Sequence, residues 1–374
     1  MRYVDLGKTG YRVSRLGFGS MRLPMMRVGD KEYVDVESAM AVLHRAFELG
    51  VNYVDLGFIY CAEESEFVVG QALAQWPRRA EIVVTTKCTK MRMQQSGDLR
   101  RMLEHQLWKM RRSSFDFYLF HGIGWDNWHE LDARTGWIRD MARAKEEGLF
   151  KHCGFSFHDK PEAMARLVDQ GIFDLVTCQY NYLDRGNEQA IAYASDRGLG
   201  VVVMGPVGGG RLAHVPRGLR ELRGLQANDA AELAVRFVLS HPSVDLALSG
   251  MGSVEMVERN CAAAEKGPLS AEELDTINAL MDRNRELAKL YCTGCQYCLP
   301  CPHGVNIPRN FDLCNHYKVY GLEEYARLEY RQLVTSKEDA SVCAQCNTCL
   351  DRCPQNINIP KQLQEVVELL GTFQ

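Results

Sequence analysis

The chain has 374 residues, of which 46% are hydrophobic and 25% charged, and its formal net charge is −4. This size suits one large globular domain with an appendage, and the nearly balanced charge excludes a general nucleic-acid binder. No apolar run approaches the roughly 18 residues of a membrane helix, so no membrane partner is expected. The first residues lack a signal-peptide core, which predicts a cytoplasmic location.

The first predicted elements are a hairpin and a helix that has a capping residue at its start and a glycine just after its end. Residues 3–14 alternate apolar and polar positions around Gly7 and Gly10, which predicts a β-hairpin. After a strand and a loop, a helix should begin behind its cap Asp35 and stop at Gly50. Its expected buried stripe is Ala39, Val42, Leu43, Ala46 and Phe47.

A strand followed by a helix then recurs along the chain. Strands are predicted at 15–19, 51–55, 82–87, 115–121, 151–156, 173–179, 199–205 and 244–250. Further helices are predicted at 62–75, 98–111, 128–147, 160–170, 186–197, 229–240 and 253–265. Such alternation indicates parallel strands joined by right-handed crossovers, and eight units in about 250 residues favour an α/β fold of the closed (β/α)₈ (TIM) barrel type.

The repeat stops near Pro268, which suggests three parts. We expect the barrel at 1–268, a connecting helix at 269–290 and a second domain at 291–374. The second domain has no strand pattern and is expected to be small and mostly helical, with helices near 322–333 and 360–370.

Four polar side chains stand at or just after the ends of consecutive predicted strands. Asp55 closes one apolar run, Tyr60 follows it, Lys87 ends the next run and His121 ends the third. The carboxyl ends of barrel strands share one mouth, so the four side chains should meet there. An ammonium beside a phenol favours the phenolate, and a carboxylate holds the ammonium in place. The set therefore predicts a phenolic proton donor, with His121 orienting a carbonyl oxygen.

Each of these residues also has an ordinary structural interpretation. Asp55 could cap a turn and Tyr60 could fill the core. A lysine more often lies on the solvated surface, and a single histidine is more often a core or rim residue. A lysine and a histidine that both end buried apolar strands are harder to explain in this way.

In this tetrad, Asp55, Tyr60, Lys87 and His121, the chain resembles the aldo-keto reductases. The resemblance runs from residue 6 to about residue 265. It includes Leu6–Gly10, Gly154–Ser156, Gln179–Asn181, Gly205–Pro206, Ser249–Ser253 and Asn260. It implies reversible hydride transfer between NAD(H) or NADP(H) and a small carbonyl substrate. It also implies cofactor contacts at Gly19, Ser20, Ser156, Gln179, Met204, Gly205, Gly252 and Asn260, with Ser156 and Gln179 holding the carboxamide.

The resemblance is incomplete in the cofactor cleft. Leu56 and Phe157 stand where the family usually has a small hydroxyl and an asparagine, and Met204 replaces the aromatic residue that stacks on the nicotinamide. The basic residues that often hold the 2′-phosphate of NADP align with Gly250, Met251 and Met256. None of these three residues is charged, and Arg259 is the only cation near them in the sequence. NAD is therefore at least as well supported as NADP.

Three tryptophans, Trp125, Trp128 and Trp137, follow the strand that ends at His121. They could wall the mouth against an apolar or ring-shaped substrate. The other interpretation, which we favour for Trp128 and Trp137, is that they pack the next helix onto the barrel.

Eight of the fourteen cysteines form two groups near the C-terminus. The eight predicted metal ligands are Cys292, Cys295, Cys298, Cys301, Cys343, Cys346, Cys349 and Cys353. The second group has the bacterial ferredoxin spacing, and the first differs by one residue before its last cysteine. Two 4Fe-4S clusters are therefore expected; structural zinc is the alternative, although paired zinc knuckles leave surplus cysteines.

In that motif the remote fourth cysteine ligates the other cluster. This assigns Cys353 to the cluster of Cys292, Cys295 and Cys298. It assigns Cys301 to the cluster of Cys343, Cys346 and Cys349. The domain resembles helical dicluster ferredoxin modules, and the order of parts resembles an iron–sulfur-tailed branch of the aldo-keto reductases.

Three functional hypotheses remain from the sequence. In the first, the barrel is a nicotinamide-dependent carbonyl reductase with structural or regulatory clusters. In the second, the clusters pass electrons from a one-electron donor protein to the barrel through a flavin such as FMN. In the third, the barrel is a non-enzymatic redox sensor, although a sensor has no need of the tetrad.

Overall fold

The computed structural model describes residues 1–29, 31–208, 212, 230–288, 298–318, 321–353 and 357–371. The described residues divide into two compact units, one within Met1–Gly209 and Ala231–Leu269 and the other within Gly210–Ala230 and Ser270–Gln374. Among the described helices, none is both long and apolar enough to cross a membrane.

The first unit is a closed barrel of eight parallel strands, as predicted. The barrel strands are β3 (Leu16–Gly19), β6 (Tyr53–Asp55), β7 (Val83–Thr89), β8 (Phe115–Ile123), β9 (Phe150–Phe157), β10 (Leu175–Gln179), β11 (Gly200–Met204) and β12 (Leu246–Ser249). Strand β12 pairs with β3, which closes the cylinder. Side chains that include Tyr53, Phe117, Leu175 and Leu248 form a buried cluster, so the barrel interior is a packed core and not a pore.

Two antiparallel hairpins precede or interrupt the barrel. The predicted one consists of β1 (Tyr3–Asp5) and β2 (Arg12–Ser14), with Gly7 and Gly10 at positive φ in the turn. The other, β4 (Met25–Val28) paired with β5 (Lys31–Val34), lies where the sequence predicted only a loop.

Ten of the described helices lie before the cysteine region. They are α1 (Val36–Glu48), α2 (Ser65–Gln75), α3 (Asp98–Met110), α4 (Trp125–Thr135), α5 (Trp137–Glu146), α6 (Pro161–Val168), α7 (Glu188–Asp196), α8 (Ala230–Leu239), α9 (Val254–Lys266) and α10 (Ala271–Ala288). The single helix predicted at 128–147 is wrong, because Gly136 at φ 64° separates α4 from α5.

Helix α1 illustrates how the sequence sets these elements. Asp35 accepts a hydrogen bond from the Ser38 backbone N–H at 3.2 Å, which satisfies one of the free donors of the first turn. The predicted stripe is buried, and Gly50 has φ 89° just after the helix ends.

The second unit is helical, and no strand occurs among its described residues. It contains α10 and then α11 (Ile307–Lys318), α12 (Glu323–Ser336) and α13 (Ile359–Leu370). Apolar side chains that include Phe311, Tyr330, Leu363 and Val366 form its own buried core.

Candidate functional site

The four predicted catalytic side chains meet at the carboxyl ends of three adjacent strands. Lys87 is 1% exposed and Asp55 is 3% exposed. The Lys87 Nζ lies 2.5 Å from Asp55 Oδ1 and 3.3 Å from Tyr60 Oη. It also donates to the Leu56 carbonyl at 2.6 Å. The His121 ring stands edge-on to the Tyr60 ring, with centroids 5.6 Å apart.

A strained turn positions Tyr60. Cys61, Ala62 and Glu63 follow it at φ 50°, 55° and 70°, three consecutive non-glycine residues in the left-handed region. Such backbone costs of order 1–3 kcal/mol per residue and persists only where the surroundings enforce it. The Cys61 thiol donates to the Ser20 carbonyl at 3.3 Å, which ties the turn to the loop after β3.

Burial and charge set the protonation states of the tetrad. Burial lowers the pKa of Lys87, but Asp55 and Tyr60 together outweigh it and raise that pKa above its ordinary value, so the ammonium stays charged. Burial raises the pKa of Tyr60, and the opposing effect of Lys87 is smaller, so Tyr60 is a neutral phenol at pH 7. Burial, then Lys87, lowers the pKa of His121 to about 3, so its imidazole is neutral.

A buried polar network behind Lys87 was not predicted from the sequence. Glu66 forms an ion pair with Lys109 and accepts hydrogen bonds from Thr86 and Gln106. Gln106 also donates to the Lys87 carbonyl at 3.1 Å. The network therefore fixes the strand that carries Lys87. Its signal in the sequence was the pair Gln106 and Lys109, two polar residues among the apolar residues that helix α3 buries.

The residues expected to hold a carboxamide lie on the neighbouring strands β9 and β10, near their carboxyl ends. Gln179 ends β10 opposite Met204 in the register, and a Cβ at Gly205 would lie 2.6 Å from the Gln179 side-chain amide. This amide forms no hydrogen bond among the described residues, so it is free to pair with a ligand. Ser156 Oγ accepts from the Gly122 N–H at 2.9 Å and keeps its own proton to donate.

The other predicted cofactor residues have varied surroundings. Gly19 ends β3 in register with Asp55, and the buried Ser20 Oγ has no hydrogen-bond partner among the residues that the structure describes. Gly252 is exposed. Asn260 donates its amide to Ser249 Oγ at 2.9 Å and so ties α9 to the end of β12.

A polar cavity of about 710 Å³, open to solvent, lies beside His121. Its lining residues are Lys90, Gly122, Ile123, Gly124, Asp126, Glu130, His158 and Asp159. Most of the side chains that line it are charged or can form hydrogen bonds, so this side of the mouth suits a hydrophilic molecule.

Trp128 and Trp137 pack the helices onto the barrel. They are 2% and 0% exposed, and their rings meet edge-on at 5.0 Å. Trp125 is half-buried beneath the Arg166 guanidinium at 5.1 Å. The second interpretation of Trp128 and Trp137 therefore fits, and neither residue walls the mouth.

Five of the predicted metal-binding cysteines line one cavity in the second unit. They are Cys298, Cys301, Cys343, Cys346 and Cys349, and the empty volume, counted with the open side, is about 380 Å³. Gln345 and Asn347 adopt positive φ, which wraps the backbone of the second group. Cys301, from the first group, lines this cavity together with the second-group cysteines Cys343, Cys346 and Cys349.

The remaining predicted ligands are distributed differently. Cys353 is half-buried against the core of the second unit. Cys292 and Cys295 lie outside the described residues. Within the parts of the chain that the structure describes, no three His, Cys, Asp or Glu side chains converge closely enough to bind a single metal ion.

Comparison with known proteins gives two family matches. The model of the aldo/keto reductase family matches residues 15–282. The model of a 4Fe-4S dicluster domain matches residues 291–359. The first range contains the tetrad, and the second contains the eight candidate cluster cysteines.

Individual relatives are distant and match 70–75% of this chain. L-galactose dehydrogenase from Arabidopsis thaliana is 25% identical over 308 residues, which cover 75% of this chain and 95% of that protein. NADH-specific methylglyoxal reductase from Escherichia coli is 25% identical over 309 residues, which cover 70% and 93%. The solved structure of aldo-keto reductase AKR11C1 from Bacillus halodurans (holo form) aligns with a TM-score of 0.63 and 27% identity, covering 75% of this chain and 96% of that one.

Proposed function

Since this chain belongs to the aldo/keto reductase family and carries a 4Fe-4S dicluster domain, we propose that its barrel transfers hydride between a nicotinamide cofactor and the carbonyl carbon of a small molecule. The observation that carries the proposal is the buried Lys87, which contacts both Asp55 and Tyr60. A barrel that only binds a ligand has no need of an ammonium, a carboxylate and a phenol in this arrangement.

The tetrad supplies the proton that carbonyl reduction requires. Tyr60 donates its phenolic proton to the carbonyl oxygen as hydride reaches the carbon. The Lys87 ammonium then stabilises the phenolate, and Asp55 keeps that ammonium charged in a buried place. Neutral His121 donates a hydrogen bond from a ring nitrogen to the same oxygen and so orients the carbonyl.

The surroundings of Gln179 fit a nicotinamide. When bound, the reduced cofactor supplies the hydride. The free amide of Gln179 and the hydroxyl of Ser156 would hold its carboxamide, and Gly205, which has no side chain, leaves the space that the Gln179 amide occupies. The Escherichia coli relative, whose name is NADH-specific methylglyoxal reductase, supports this choice of reaction.

The cavity beside His121 favours a hydroxylated substrate over an apolar one. Asp126, Glu130 and Asp159 can accept hydrogen bonds from hydroxyl groups, and Lys90 and His158 can donate to them. The wholly buried Trp128 and Trp137 provide no apolar wall.

We further propose that the second unit binds two 4Fe-4S clusters. A four-iron cluster takes each thiolate on a different iron, so its sulfurs stand farther apart than the ligands of a single ion. Cys301, Cys343, Cys346 and Cys349 would hold one cluster at the cavity that they line.

The dependence of turnover on pH tests the proposed function. With NADH or NADPH and glyceraldehyde, kcat/KM should be flat from about pH 5 to 9, because His121 is neutral above its pKa of about 3 and Tyr60 stays protonated. The rate should fall only above the ordinary tyrosine range, about pH 10.

The choice of substrate tests the role of the polar cavity. Propanal lacks the hydroxyl groups of glyceraldehyde, so it should react about tenfold more slowly than glyceraldehyde in the same assay.

Two results would contradict this account. If neither aldehyde is reduced with NADH or with NADPH, the proposed reaction is wrong. An acidic limb with a midpoint near pH 6.5 would instead show that a histidine must change charge, which the surroundings of His121 oppose.

A further inference from the structure

We propose that the buried ion pair of Glu66 and Lys109 positions the proton donor, by holding Tyr60 and Lys87 in contact from two different elements. The inference rests on the proposed function and adds two positioning residues to the carbonyl reduction described there. Glu66 lies in the first turn of helix α2, and Lys109 lies in the last turn of helix α3.

The pair is buried, although burial of charge is costly. Glu66 is 0% exposed and Lys109 is 8% exposed. Apolar residues of similar volume often stabilise a fold as well as a buried ion pair does, or better. Stability alone therefore gives little reason for a glutamate and a lysine at these two positions.

The lysine of the pair holds the chain on both sides of Tyr60. Its Nζ donates to the Glu63 carbonyl at 3.5 Å, and Glu63 is the last of the three residues in the left-handed region. The same ammonium lies over the Phe58 ring, 4.5 Å from its centre, where a cation is attracted to the ring face. These contacts restrict where the phenol of Tyr60 can lie.

The glutamate of the pair holds the strand that carries Lys87. Its Oε1 accepts from Thr86 Oγ1 at 2.6 Å and from Gln106 Nε2 at 2.5 Å. Gln106 Nε2 also donates to the Lys87 carbonyl at 3.1 Å. The glutamate therefore fixes β7 at the residue whose ammonium contacts Tyr60.

The two members of the pair thus act on the two sides of one contact. Lys87 Nζ lies 3.3 Å from Tyr60 Oη, and the two residues come from different elements. Without the pair, the turn and the strand are no longer tied together, and the ammonium stabilises the phenolate less. A shift of about 1 Å in a catalytic group can cost about 100-fold in rate.

The test is the variant Glu66→Gln/Lys109→Met, which removes both charges together and so leaves no unpaired charge in the interior. In anaerobic assays of the full, cluster-loaded chain with glyceraldehyde, kcat should fall about 10- to 100-fold. The Kd of the nucleotide should not change, because neither residue belongs to the proposed nicotinamide site. Glu66→Asp keeps both charges and shortens the reach, so it tests the same point in a milder variant and should lower kcat by a smaller factor.

A double-mutant cycle with Tyr60→Phe separates positioning from general damage to the fold. Once the hydroxyl is absent, its distance from Lys87 no longer affects the reaction. Adding Glu66→Gln/Lys109→Met to Tyr60→Phe should therefore not lower the remaining rate further. Damage that is independent of the proton donor would lower the rate by the same factor in both backgrounds.

Asp116→Asn/Lys151→Met is the matched control. Asp116 accepts from the Val84 N–H of β7 at 2.9 Å and pairs with Lys151 at 3.0 Å, at the amino ends of the strands. This variant removes an ion pair that also holds β7, but at the end away from the tetrad, so kcat should not change.

Two results would overturn the positioning role while the proposed function stands. One is an unchanged kcat in Glu66→Gln/Lys109→Met and in Glu66→Asp. The other is the same loss of rate with and without the Tyr60 hydroxyl. A wild-type protein that reduces no aldehyde with either nucleotide would overturn the proposed function, and this inference with it.

Discussion

Replacing Tyr60 by phenylalanine should slow carbonyl reduction about 10²- to 10⁴-fold, the usual contribution of a general acid. The phenyl ring keeps its edge-on contact with His121 and loses only the hydroxyl that lies 3.3 Å from Lys87. Folding and nucleotide affinity should therefore change little. Turnover is measured anaerobically by loss of nicotinamide absorbance, and the Kd by titration.

Tyr193→Phe is the matched control for this variant. Tyr193 lies on the outer helix α7 and donates to Asp169 at 2.7 Å, so its loss removes one surface hydrogen bond. Its kcat should equal that of the wild type. Near-normal turnover in Tyr60→Phe would mean that another group protonates the carbonyl oxygen.

Cys349→Ser should remove one of two iron–sulfur clusters. The wild-type chain should carry about eight irons and eight inorganic sulfides, and the variant about four of each. Because the motif assigns the fourth cysteine of the first group, Cys301, to the cluster of Cys349, Cys301→Ser should lose the same spectral component. Iron and sulfide analysis with low-temperature electron paramagnetic resonance of reduced protein measures both effects.

Cys314→Ser controls for a general effect of losing a cysteine. Cys314 is buried on α11 in the same unit but does not line the cavity. It should retain about eight irons. Stoichiometric zinc without sulfide in the wild-type protein would contradict the cluster assignment, and separate cluster losses from Cys349→Ser and Cys301→Ser would contradict the shared site.

The barrel was predictable because its strands are buried on both faces. Such strands appear as short, continuous apolar runs, and all eight were recognised from the sequence. The hairpin of β4 and β5 was missed because Met26, Val28 and Tyr33 are exposed, so apolar and polar positions do not alternate there as they do in a half-buried strand. The break at Gly136 was missed because the helical pattern continues on both sides of it.

The candidate site was predictable where residues stand at strand ends. The tetrad could be placed because parallel strands bring their carboxyl ends together. The pairing of Glu66 with Lys109 depends on how separate elements pack, which no local pattern encodes. The net pKa of Tyr60 likewise depends on burial, which outweighs the effect of Lys87.

The relation between clusters and barrel separates the first two functional hypotheses. Hydride transfer moves two electrons together, whereas a 4Fe-4S cluster ordinarily passes one. A flavin in the barrel would be needed to link the two-electron hydride transfer to the one-electron transfer of the clusters. The described residues instead offer a free amide at Gln179 and a hydroxyl at Ser156, which suit a carboxamide. We therefore favour the nicotinamide hypothesis.

Separate anaerobic titrations of the oxidised, cluster-loaded protein with NADH, NADPH and FMN test hydride transfer in the barrel most directly. Saturable binding of NADH or NADPH is predicted, with the cluster absorbance unbleached because the nicotinamide does not reduce the clusters. Tight binding of FMN, followed by turnover that depends on a one-electron donor and fails with both nicotinamides, would contradict the account.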